Sequence, residues 1–186
     1  MTNRILLTLI IALFAGSTFI AQAVPQQRDH LTQQEVDLVK EAQILDKRID
    51  VFVKAAERRL MVINGSASAA ANAKQLKKDS ERWGELPTGS RAELVSDIAK
   101  ILDEAITNID DVVTRDERNP LVAKSLRKLA QATTSIMGQL KPLAAEAKSD
   151  AEIASFELLN EDAQSILEAA NKLPPEVVDK KGKKNN

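Results

Sequence analysis

Cysteine is absent from this chain of 186 residues. Disulfides, thiolate nucleophiles and Cys-ligated metal centres are therefore excluded, and stability has to come from packing alone. Histidine is almost as scarce, with His30 the single example. Zinc sites of the usual kind need several His or Cys ligands, and di-iron bundles need Glu-x-x-His pairs facing the interior. One histidine, set before the first helix and between Arg28, Asp29 and Leu31, meets neither requirement. It is equally ill placed to ligate a haem or to serve as base for a Ser or Thr nucleophile. Tyrosine is missing, and tryptophan and phenylalanine together number five. With the aromatic strand formers nearly gone, the Ala-, Leu- and Glu-rich remainder is a helical composition. Neither sign of charge dominates, since the formal net charge is −1. That argues against a dedicated nucleic-acid binder, which needs a basic surplus to neutralise phosphates.

Two short motifs imitate ligand loops without their chemistry. Thr88-Gly89-Ser90 lacks the glycine spacing and lysine of a phosphate loop. Asp110-Asp111 lacks the alternating oxygen ligands and glycine of a calcium loop. No residue is assigned a catalytic, metal-binding or cofactor-binding role, and the expectation is a protein that is not an enzyme and uses no cofactor.

One long apolar run is present, and it is N-terminal. Arg4 precedes ILLTLIIALF, and Ala21-Gln22-Ala23 provides small residues at a cleavage site. This is the pattern of a signal peptide, residues 1–23, removed after Ala23. From Ile5 to Ile20 the run is shorter than the ~20 residues of a spanning helix. The expected location is periplasmic or secreted, with no transmembrane segment once the leader is gone. Residues 24–31 read as an N-terminal extension, 32–175 as one helical domain, and the lysine-rich 176–186 as a disordered basic tail.

The helical domain is punctuated clearly. Thr32 and Glu35 form a capping box, with Leu31 and Val36 as a hydrophobic staple. Behind them Leu38, Ala42, Leu45, Ile49, Phe52, Ala56, Arg59 and Ile63 keep 4-3 spacing, which predicts one first helix of roughly 48 Å ending at Asn64-Gly65. Residues 64–89 read as a partly ordered linker. Ser90 and Glu93 open a second helix with the seam Val95, Ile98, Leu102, Ala105, Ile109 and Val112. Asn119-Pro120 opens a third with Val122, Leu126, Leu129, Thr133, Ile136 and Leu140, into which Pro142 intrudes. Ser149 and Glu152 make a further capping box before Ile153, Phe156, Leu159, Ala163 and Ile166, and Pro174-Pro175 stops the fourth helix. The fold expected is all-α, an antiparallel up-down-up-down four-helix bundle with a long first helix and a partly ordered linker between helices one and two.

Two groups of residues stand out as candidates. Leu60, Met61 and Ile63 make the overhanging end of the first helix apolar on most sides. They are expected to meet Trp83 and Leu86 of the linker, or a second chain. Asp46, Arg59, Asn108 and Asn160 fall on or beside apolar seams and are candidates for a buried polar cluster. The function expected is contact with a protein or cell-envelope component, with self-association one form of it. The alternative is a small-ligand carrier with a cavity between helices. A carboxylate-based enzyme ranks third.

Overall fold

The computed structural model describes residues 29–65 and 80–175. The leader, most of the N-terminal extension, the middle of the linker and the basic tail lie outside the described residues. All regular structure among the described residues is helical. Helix α1 spans Gln33–Glu41, α2 Leu45–Ile63, α3 Arg91–Arg115, α4 Pro120–Ala145 and α5 Asp150–Asn171.

The helix starts follow the local chemistry of the sequence. Thr32 Oγ1 accepts from the Glu35 backbone N–H while the Glu35 carboxylate accepts from that of Thr32, and Ser90 and Glu93 do the same for α3. Asn119 caps α4 by accepting from Leu121 N–H, with Pro120 in the first turn, where no N–H is needed. The box expected at α5 closes only by half. Ser149 accepts from Glu152 N–H, but the Glu152 carboxylate turns across to Arg91, 2.7 Å away.

The single long first helix is not what forms. The chain breaks at Ala42–Ile44 into α1 and α2, although Ala-Gln-Ile contains no helix breaker. The Ala42 carbonyl accepts from the Arg48 side chain at 3.0 Å, and Ile44 is left 56% exposed. The reason is tertiary. Glu35 and Arg59 are in contact at 2.7 Å, yet in one continuous helix their separation along the axis is about 36 Å. Only a chain that folds back near residue 43 can bring them together.

Helix α2 packs on α3 and α4, α5 packs on the same two, and α3 also touches α4. The core between them holds Ile49, Phe52, Val95, Ile98, Ile101, Leu102, Leu129, Ile136, Leu140, Leu159 and Ile166. Each such side chain contributes about 1.5–3 kcal/mol by leaving water. Polar pairs fix the register. Near the start of α2, Arg48 donates to Asn108 of α3 at 3.1 Å. Further on, Arg59 stands 3.8 Å from Asp97. Asp46 meets Lys124 near the start of α4, and Arg91 of α3 meets Glu152 of α5. Where α2 ends, Asn64 donates to Gln139 at 3.3 Å, so the last turns of α4 run on beyond it. Pro142 does not terminate α4, which continues to Ala145.

Candidate functional site

Adjacent arginines on α2 organise one side of the molecule. Arg59 is 1% exposed and Glu35 not at all. The Arg59 guanidinium donates to both Glu35 carboxylate oxygens at 2.7 Å, to the Ala55 carbonyl at 2.8 Å and to the His30 carbonyl at 2.6 Å. Thus one buried cation holds α1 and the residues before it. Arg58, also buried, faces the end of the linker. It donates to the Trp83 and Gly84 carbonyls at 3.2 and 3.1 Å, and its charge stands 5.8 Å from the centre of the Trp83 ring, within cation–π range. Gly84 takes φ +69°, and a Cβ there would meet the Gln34 side chain at 2.9 Å, so glycine is the residue that allows this close approach.

Trp83 therefore docks, but not where the sequence suggested. It shares a hollow with Leu38, Ala42 and Val51, at the α1–α2 fold-back. Leu60 is instead in the core, Ile63 packs against that core, and Met61 is half-buried. Leu86 is half-buried and lines, with Arg59, Thr32, Gln34 and Glu85, a polar cleft of about 730 Å³.

The four polar candidates are not brought into one cluster. Asp46 and Arg59 lie roughly 20 Å apart along α2. Asp46 is covered by two lysines, with Lys128 Nζ at 2.6 Å and Lys124 Nζ at 3.0 Å. Their ammonium groups, that of Lys128 foremost, hold its carboxyl below the ordinary 3.8. Lys128 also reaches Asp50 at 2.6 Å. Burial alone would lower its pKa, but the two carboxylates outweigh that and raise it. Asn108 accepts from Arg48 and donates to the Glu104 carbonyl at 2.8 Å, while Asn160 is exposed on α5. His30 is half-buried and contacts Glu104 at 2.8 Å. Among the described residues no group of three or more His, Asp or Glu is placed to hold a metal ion, and no helix is long and apolar enough to cross a membrane.

Two features were not singled out from the sequence. Glu35 had been fully explained as a helix cap, and only the fold-back reveals its second role. The other is Asp162 on α5, whose carboxyl is pushed up to about 6 by burial and by the charges of Asp103 and Glu161. A raised folded-state pKa favours folding at low pH and opposes it above about 6. Asp162→Asn is therefore expected to stabilise the protein at pH 7 by about 1 kcal/mol, a figure discounted for the solvent reaching this partly exposed group. The gain should vanish near pH 4. Urea midpoints at both pH values check this, and an equal gain at both would refute it.

The remaining feature is an apolar groove of about 600 Å³ between the end of α4 and the start of α5. Leu140 and Leu159 form its buried base, with Met137 and Phe156 partly buried beside them. Gly138 and Ala144 leave one wall low, and a Cβ at Gly138 would touch nothing within 4 Å. The helical donor to the Gly138 carbonyl would be residue 142, a proline with no N–H. Ile153 is 42% exposed on the α5 side. Lys141 and Glu157 stand exposed on opposite walls, and neither has an ion-pair partner among the described residues. Compared with family models, with curated proteins and with solved structures, this chain matches none.

Proposed function

We propose that this is an exported, non-enzymatic helical-bundle protein that works by contact with a protein or a cell-envelope component. The observation that carries the reading is the α4–α5 groove, which exposes Ile153 over an apolar base where a monomer has every reason to close. Exposed apolar concavities rimmed by charge are what interaction sites look like. The N-terminal leader pattern supports export. The alternating course of an up-down-up-down bundle is supported by the pairings Arg48–Asn108, Asp46–Lys124 and Arg91–Glu152. The contacts favour α2 and α5 at opposite corners, each packed on α3 and α4, a layout in which the neighbours α2–α4 and α3–α5 run parallel rather than antiparallel.

The groove volume also suits a small apolar ligand, which makes the carrier the competing reading. A carrier pocket shared by Asp46 and Arg59 has no support, because the two sit far apart on α2. The test is capture. Protein purified after expression from its full coding sequence, with its intact mass reporting removal of residues 1–23, is immobilised and exposed to an envelope extract of its source organism. Capture of a macromolecule, abolished by Ile153→Glu, is the expected result. Retention of only a small apolar compound would establish the carrier instead, and capture indifferent to Ile153→Glu would remove the groove from the account.

A further inference from the structure

Resting on the reading of the groove as a contact site, we propose that its occupant is a second copy of this chain. The groove is self-complementary in charge, and Ile153 projects from its α5 wall over the apolar base. A two-fold axis along the groove lays the α5 wall of each copy over the α4 wall of the other and covers each Ile153. Such an interface is isologous and closes on itself, giving a dimer rather than a filament.

In charge, the same operation is favourable. Lys141 belongs to the α4 wall and Glu157 to the α5 wall. Among the described residues neither has an ion partner, and the rotation brings each lysine to the wall that carries the glutamate of the other copy. Were the two walls to carry the same sign, the symmetric pairing would be opposed by like charges. A foreign partner requires no such internal match between the walls of one groove, whereas a second copy does.

Sedimentation equilibrium of the purified protein from about 1 to about 100 µM tests the proposal, over the range where transient homodimers exchange with monomers. The expected mass rises from one chain to two. Lys141→Glu and Glu157→Lys, both at exposed sites that leave the core untouched, should each weaken pairing roughly tenfold. The double reversal should recover most of the loss, because opposite charges again face each other. Ile153→Glu should remain monomeric with unchanged helical circular dichroism. A wild-type mass that stays at one chain throughout, or a double reversal that pairs no better than either single change, overturns the dimer. The broader contact reading is judged separately by the capture experiment, which a monomeric chain can still satisfy.

Discussion

Arg59→Met is expected to lower the free energy of unfolding by about 3–5 kcal/mol, the range for breaking a buried ion pair by removing one partner. Arg59 is the hub of a fully enclosed set of charges. It satisfies both oxygens of Glu35, the His30 carbonyl and the Ala55 carbonyl, and it stands 3.8 Å from Asp97. A methionine fills similar volume but leaves Glu35 with the Thr32 N–H and the flank of Arg58, 3.3 Å away, to offset its burial. The urea midpoint should fall accordingly. Amide exchange should quicken first in Gln33–Glu41, since this pair ties α1 to α2. The electrostatic origin has its own signature. Glu35→Gln keeps an oxygen for the Thr32 N–H and removes the stranded charge, so adding it to Arg59→Met should cost far less than Glu35→Gln does alone. Additive losses would show that Arg59 contributes packing and not charge pairing.

Phe52→Ala is expected to have an effect of similar size with a different cause. Phe52 is 0% exposed on α2, the helix packed on both α3 and α4. Its truncation removes transfer free energy and leaves a cavity among neighbours that cannot all relax inward, for a loss of about 3–5 kcal/mol. Chemical denaturation should show a lower midpoint with an unchanged slope. Ile44→Ala supplies the control. At 56% exposure in the break between α1 and α2, its loss should stay within about 0.5 kcal/mol. If the two substitutions cost the same, the core assignment of α2 fails.

Phe52 and Arg59 differ in how far the sequence alone reveals their roles. Phe52 was legible because it recurs with Ile49 and Ala56 at helical spacing, and a stripe of that period has one side to bury. Arg59 was legible only as an anomaly on the same stripe. Its partner was hidden, since Glu35 already had a complete local explanation as a cap and lay a full helix length away on any straight rod. The same holds for Trp83. Gly84, Pro87 and the Ser90 cap mark the turn around it, but Arg58, the residue on which it rests, carries no local signal.

The groove was hidden for a related reason. Phe156 and Ile153 read as ordinary members of a helical seam, and Pro142 as an intrusion into one. Only the pairing of α4 with α5 places Phe156 and Ile153 around one space with Met137 and Gly138. Capping and apolar periodicity act over a few residues, so the helical class, the starts of the helices at Thr32, Ser90, Asn119 and Ser149, and most of the core were legible along the chain. The tertiary structure decided the fold-back at Ala42–Ile44, the Glu35–Arg59 pair, the seat of Trp83 and the open α4–α5 groove. Each of these depends on contacts between residues far apart in the chain, where a buried charge or an unfilled space outweighs local propensity.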